Sequence, residues 1–180
     1  MIYCTQCGSK LIWQIPECED RPRHVCEGCG TIHYENPKMV AGTIPESDGK
    51  ILLCRRAIEP KKGLWTLPAG YLENGESVAD CAVRESFEEA RVKLGNLEPY
   101  TLCNLPFINQ VYFFYRAPLI NDDFEAGPES LEVELFSMDT IPWQNLAFTV
   151  VYEVLRKYRQ DQENNLFPFR VLDIHQPESR

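Results

Sequence analysis

Residues 70–89 read GYLENGESVADCAVRESFEE. Gly70, Glu76, the pair Arg84–Glu85 and the pair Glu88–Glu89 stand there at fixed spacing. At usage of roughly 5–7% for each residue type, such a pattern arises by chance in about one chain of this length in 10⁵. It demands a glycine turn followed at once by a carboxylate-bearing helix. Ser77 reads as the N-cap, and Asp80 three residues on completes something close to a capping box. Glu76 precedes it, where the positive end of the helix dipole favours a carboxylate. The helix is predicted from about Val78 to about Ala90. Ala79, Val83, Phe87 and Ala90 recur at i, i+4, i+8 and i+11 and predict an apolar stripe. Glu85, Glu88 and Glu89 fall at i, i+3 and i+4, on the opposite side. Three like charges within one turn repel, and a divalent cation relieves that repulsion. The plain alternative is a solvated acidic face, but such faces mix in lysine and none occurs between Ser77 and Ala90.

A second constellation lies at the N-terminus. Cys4-x-x-Cys7 and Cys26-x-x-Cys29 are separated by 18 residues, the spacing of a four-thiolate zinc site. Each pair is followed by glycine, Gly8 and Gly30, which permits a tight knuckle with backbone N–H groups facing the sulfurs. His24 and His33 flank the second pair and read as surface or neighbouring residues rather than ligands. Cys18, Cys54, Cys81 and Cys103 fit no ligand spacing, and Cys54 and Cys103 read as small buried hydrophobes. The segment Met1 to Pro37 sets Lys10, Arg21 and Arg23 against Glu17, Glu19, Asp20, Glu27 and Glu35. That balance favours a structural clip or oligomer contact over a nucleic-acid-binding ribbon.

A length of 180 residues suits one domain plus a small appendage. The net charge of −9 argues against a nucleic-acid polymer as the main ligand. It does not exclude a small anionic nucleotide, because bound metal inverts the local field. No apolar stretch is long enough to span a bilayer, and MIYCTQCGSK has no signal or transit character. The expectation is a cytoplasmic protein without a membrane partner.

Asn36-Pro37 reads as a turn and domain junction. Strands are predicted over Lys38–Ile44 and Lys50–Arg55, joined by a turn at 46–49, then over Leu94–Leu105, Gln110–Leu119 and Glu132–Met138. The run VYFFYRAPL reads as a strand buried on both faces. Ala147–Gln162 has helical spacing with Phe148, Val151, Leu155 and Tyr158 on one face. The expected organisation is a zinc ribbon at 1–35, a catalytic domain at 36–163 and a C-terminal tail at 164–180.

The 70–89 pattern is the Nudix signature, and the resemblance extends to YENPKM (34–39), GLWTLPAGYLENGES (63–77), AGPESLE (126–132) and LAF (146–148). The whole resembles the zinc-ribbon Nudix group that includes bacterial ADP-ribose-type pyrophosphatases and the plant plastid FAD pyrophosphatase. The resemblance implies an α+β chain: a Nudix α/β/α sandwich with a mixed sheet, preceded by the ribbon and commonly a homodimer. It implies hydrolysis of the diphosphate bond of an FAD- or ADP-ribose-class substrate, releasing AMP. Magnesium or manganese would lie on Glu85, Glu88 and Glu89, and zinc on Cys4, Cys7, Cys26 and Cys29. Arg84 would hold a carboxylate in place, and Glu132 is the loop carboxylate expected as general base, with Glu129 as runner-up. Phe107, Tyr112 and Phe114 are the aromatic side chains considered for stacking a base, with a core role as the alternative. The chain lacks the SQPWPFPxS marker of the NADH pyrophosphatases. An NADH-type enzyme, a catalytically idle nucleotide-binding regulator and a cap-removing RNA protein remain alternatives. Pro106 stands fifteen residues past Arg91, as in many ADP-ribose pyrophosphatases, and also fits an ordinary turn. Two positions depart from the family pattern: Ser86, where an aliphatic residue is usual, and Arg91, where glycine closes the helix.

Overall fold

The computed structural model describes residues 1–175. The chain divides into two compact units at Pro37 and Lys38. The first holds three short antiparallel strands, β1 (Leu11–Gln14), β2 (Arg23–Cys26) and β3 (Ile32–His33). Its apolar core is small: Leu11, Val25, Cys4 and Cys26 are buried, while Cys7 and Cys29 are exposed.

The second unit runs β4 (Lys38–Ser47), β5 (Lys50–Arg56), β6 (Trp65–Thr66), β7 (Ala69–Tyr71), α1 (Val78–Ala90), β8 (Glu98–Leu105), β9 (Gln110–Pro118), β10 (Ser130–Phe136), α2 (Thr149–Asn164) and β11 (Arg170–Asp173). The sheet order is β10-β5-β4-β9-β8-β11, with β6 on β5 and β7 on β4. Pairing is parallel for β4–β9 and β8–β11 and antiparallel elsewhere, so the sheet is mixed. β4 and β5 pair only near their turn, at Glu46–Ile51 and Ser47–Lys50. They then take separate partners, β7 and β6, and the signature loop sits where they part.

Alternation along β4 assigns the two faces. Ile44 joins a large cluster with Tyr100, Phe114 and Val150, Val154 and Leu155 of α2. Ala41 packs instead with Cys81 and Ala82 of α1. Helices on both faces make the α/β/α sandwich. Val151, Leu155 and Tyr158 are buried as their spacing predicts, while Phe148 is the N-cap of α2. β9 is not buried on both faces: only Phe114 and Ala117 are buried, and most of its other residues are half-buried. Pro106 opens a short 3-10 turn between β8 and β9, its ordinary structural use.

The segment after Asn164 does more than trail. β11 adds a parallel edge strand, and Arg170 fastens it by donating to Asp161 of α2 (2.8 Å) and to the hydroxyl of Tyr100 (3.1 Å). Tyr100 in turn donates to Asp161 at 2.6 Å. Residues 176–180 of the expected tail lie outside the described residues. Among the described residues, no helix is long and apolar enough to cross a membrane.

Candidate active site

The helix starts as its sequence requires. Ser77 accepts from the Asp80 backbone, and Asp80 accepts from the Ser77 backbone, closing the capping box. The buried face is not the predicted one. Cys81, Ala82, Ser86, Glu89 and Ala90 turn inward, whereas Val83 and Phe87 are 39% and 46% exposed. The cause is the closeness of the sheet: a side chain added at Gly70 would meet the Glu85 carboxyl at 2.1 Å. Only small residues fit such a gap, so the helix rotates its bulky apolar residues outward and brings two glutamates in. The Arg91 guanidinium covers the exposed Phe87 ring at 5.1 Å.

Both departures from the family pattern have a structural answer. Ser86 is fully buried, donates to the Ala82 carbonyl at 2.7 Å and pairs with the Thr43 hydroxyl at 2.7 Å. The polar groups of helix and strand thus satisfy each other where two apolar groups would otherwise meet. Arg91 takes the left-handed conformation (φ 55°, ψ 19°) expected of glycine. That geometry costs about 1 kcal/mol or more for a residue with a Cβ, and the Arg91 backbone N–H still closes the helix on Phe87 O.

Arg84 is the hub of the carboxylates. It donates to both Glu76 oxygens (3.0 and 2.7 Å), to Glu85 (2.6 Å), to Glu88 (3.0 Å) and to the Tyr71 carbonyl (3.2 Å). These bonds from Arg84 hold the Glu76 carboxyl down to about 2. Burial pushes Glu85 upward despite Arg84. Glu89 is 6% exposed and one of its oxygens has no partner. Burial, with Glu85 nearby, pushes it up to about 8.

The loop AGPESLE docks on the end of α1. Gly127 and Glu125 donate to the carbonyls of Glu89 (2.9 Å) and Ala90 (3.0 Å), two of the acceptors a helix end leaves unpaired. Gly127 is required there, since a Cβ would lie 1.7 Å from the Glu88 carbonyl oxygen. This docking brings Glu129 to the carboxylates, where its charge raises Glu85 and Glu89 further. Glu132 does not arrive. A bulge between Ser130 and Glu132 resets the register of β10, and Glu132 pairs with Arg55 at 3.3 Å. A bulge redirects the side chains that follow it.

Glu85, Glu88, Glu89 and Glu129 line one end of a cleft of 610 Å³. Its other walls carry Ile58, Pro60, Tyr71, Tyr112 and Phe148. Arg56 lies among them, its guanidinium 5.1 Å from the centre of the Phe148 ring and its Nε donating to the Pro60 carbonyl at 2.8 Å. Of the aromatic residues considered from sequence, Tyr112 and Phe114 line the cleft and Phe107 does not. Tyr71 and Phe148 stand within the GLWTLPAGYLENGES and LAF segments without a ligand signal of their own, and Arg56 stands in no motif; the fold brings all three to the cleft.

In the small unit, the donor atoms of Cys4, Cys7, Cys26 and Cys29 all lie within 4.8 Å of one another. The Cys4–Cys29 and Cys7–Cys26 sulfurs are 3.8 and 3.4 Å apart, against about 3.8 Å for a tetrahedron with bonds of about 2.3 Å to zinc. Backbone N–H groups of Gln6 and Cys29 donate to Cys4 and Cys26 sulfurs, as the glycine knuckles predict. A hydrogen bond from Thr31 draws the Cys29 thiol down to about 6, toward the thiolate a metal needs. His33 approaches the Cys4 sulfur at 3.3 Å, beside the ligand set rather than within it.

Residues 37–158 match the NUDIX domain, and residues 3–35 match the zinc-ribbon family described as Nudix N-terminal. The chain belongs to the Nudix hydrolase family. A crystal structure of a NUDIX hydrolase from Nitrosomonas europaea superposes with a TM-score of 0.94 at 45% identity, covering 98% of this chain and 100% of that one. The NAD-capped RNA hydrolase NudC of Pseudomonas aeruginosa is 28% identical over 144 residues, 78% of this chain and 49% of that protein. The ADP-ribose pyrophosphatase of Methanocaldococcus jannaschii is 29% identical over 131 residues, 64% of this chain and 69% of that protein. The Nudix chain thus spans about half the length of the NudC relative.

Two outcomes follow for this Nudix helix. Ser86→Ala leaves the Thr43 hydroxyl buried without a partner and should lower unfolding free energy by about 1–3 kcal/mol. Adding Thr43→Val should recover most of the loss, as read by urea denaturation of the four proteins of the cycle. For Glu89, the folded carboxyl holds its proton up to about pH 8 and the unfolded one releases it near 4.5. Between those values the folded state binds more protons, so metal-free protein loses stability as pH rises. The loss from pH 5 to pH 8 should be on the order of 3 kcal/mol, and Glu89→Gln should flatten that part of the curve measured in chelator.

Proposed function

We propose that this protein hydrolyses the diphosphate bond of an FAD- or ADP-ribose-class substrate and releases AMP. The observation that carries the reading is the convergence of Glu85, Glu88, Glu89 and Glu129 at one end of a cleft whose remainder is largely apolar and aromatic. Such a cleft suits a ligand with a charged centre flanked by flat or apolar groups.

The residues fit a hard divalent cation. The donors are carboxylate oxygens, one buried Glu89 oxygen lacks a partner, and the Gly70 hydrogen leaves the room that a Cβ would take from Glu85. Glu85, Glu88 and Glu89 would hold magnesium or manganese, which when bound neutralises the diphosphate and lowers the pKa of a water. Arg84 pairs with Glu85 and Glu88 and would hold both carboxylates in place for the ion. Glu76 and the Tyr71 carbonyl in turn hold Arg84 beside Glu85. Glu129, carried on the loop docked at the end of α1, takes the role of general base that Glu132 is too far displaced to fill. Arg56, locked on Phe148, offers its remaining donors to phosphate oxygens. The four cysteines would hold zinc as a structural ion.

The NudC relatives support a second reading, an NADH or NAD-capped RNA substrate. The chain lacks the SQPWPFPxS marker, which favours the first. The deciding assay offers FAD, ADP-ribose, NADH and an NAD-capped RNA with magnesium or manganese and measures AMP or nicotinamide mononucleotide release. FAD or ADP-ribose should be cleaved fastest, and Glu88→Gln and Glu129→Gln should each slow the reaction by about 10²-fold or more. Absence of cleavage by purified wild type would leave only a regulator that binds nucleotide. Separately, metal analysis should find about one zinc per chain, and Cys4→Ser with Cys29→Ser should remove it while leaving the melting of residues 38–175 in place.

A further inference from the structure

The geometry points to Tyr71 as the platform on which the substrate's planar heteroaromatic ring stacks, a purine base or an isoalloxazine. This rests on the reading of the cleft as the diphosphate-cleaving site. β7 pairs with β4 and β4 with β9 so that Tyr71, Val40 and Tyr112 stand in one row across three strands. Residues opposite one another in a sheet share a face, and all three line the cleft. Tyr71 is the outermost of the row and is 50% exposed.

Its ring is fixed from several directions. Gln110 donates to the Tyr71 hydroxyl at 3.0 Å and accepts from the Tyr112 hydroxyl at 3.0 Å. The Lys38 ammonium lies 5.1 Å from the ring centre. Lys38 does not line the cleft, whereas Tyr71 does. The Tyr71 carbonyl accepts from Arg84, which ties the residue's backbone to the carboxylate cluster itself. A half-exposed aromatic ring held this way contributes little to the apolar core, since it belongs to none of the buried clusters. The other aromatic side chains lining the cleft have partners, and Phe148 carries the Arg56 guanidinium 5.1 Å from its ring centre. Phe114 is fully buried, and Tyr112 stacks on it with centroids 6.0 Å apart. Tyr71 sits one residue from Gly70 and therefore one short link from where the diphosphate would be cleaved. Pre-ordered rings bind planar ligands at low entropic cost.

The test measures equilibrium binding of AMP, FMN and ribose 5-phosphate, with magnesium, to wild type, Tyr71→Ala and Tyr71→Phe. Tyr71→Ala should weaken AMP or FMN by about tenfold or more and leave ribose 5-phosphate unchanged. Tyr71→Phe, which keeps the ring, should stay within about threefold of wild type. The ligand whose binding Tyr71→Ala weakens identifies whether purine or isoalloxazine uses the platform. In turnover, Tyr71→Ala should raise KM for the cleaved substrate more than it lowers kcat. The proposal is overturned if Tyr71→Ala loses less than about threefold for both ring-bearing ligands, or weakens ribose 5-phosphate equally. It is also overturned if wild type binds neither AMP nor FMN more tightly than ribose 5-phosphate. Hydrolysis by wild type is scored separately, so a failed reaction and a failed platform give different results.

Discussion

Everything in the larger unit depends on how closely α1 lies against β4 and β7. Gly70 touches the Glu85 carboxyl, which a side chain there would meet at 2.1 Å. At that range packing is a matter of single methyl groups. Cys81, Ala82 and Ser86 are the helix residues small enough to face the sheet, and Ser86 can do so only because Thr43 answers its hydroxyl. The same closeness turns Glu85 and Glu89 inward to the cleft, which Val40 of β4 and Arg56 of β5 also line. Structure and chemistry therefore share one contact.

That contact also creates an electrostatic conflict. Burying Glu89 beside Glu85 and Glu129 is costly unless protons or cations compensate. Arg84 resolves part of it by holding Glu76, Glu85 and Glu88 together, but it does not reach Glu89. The unpaired Glu89 oxygen marks where the compensation stops. A site kept under such strain is what one expects where function, rather than stability, selects the residues.

The parts of the site legible in the sequence are those whose spacing is fixed by chemistry. Four thiolates must converge on one point and a capping box must fall three residues apart, so both could be read directly. The glutamates were legible as a set, but the burial of α1 was not. Apolar periodicity assumes that the largest apolar side chains face inward. Here the sheet is too near for Val83 or Phe87, and small and polar residues took their place. Glu129 and Glu132 lie three residues apart in one loop, and only a bulge, invisible to pattern, decides between them. β11 escaped notice because its run is only four residues long and is held by Arg170, Asp161 and Tyr100, a network spanning 70 positions of sequence. Arg56 lies outside every motif, and only the fold brings it to the cleft with Tyr71 and Phe148.

The overall charge of −9 acquires a sharper meaning at the cleft. Its lining includes Glu59, Glu73, Glu85, Glu88, Glu89 and Glu129 against Arg56 and Arg84. Arg84 spends its donors on glutamates and a carbonyl, leaving Arg56 as the cation free to meet an anion. A diphosphate approaching this pole meets net repulsion, in a partly enclosed site where charges are poorly screened. On the proposed reading, positive charge brought from solution would favour anion binding there. A divalent ion on the carboxylates would reverse the sign of the pole and offset the cost of the buried Glu89 together. Metal and substrate should on this basis bind cooperatively: each lowers the electrostatic penalty that the other would face alone.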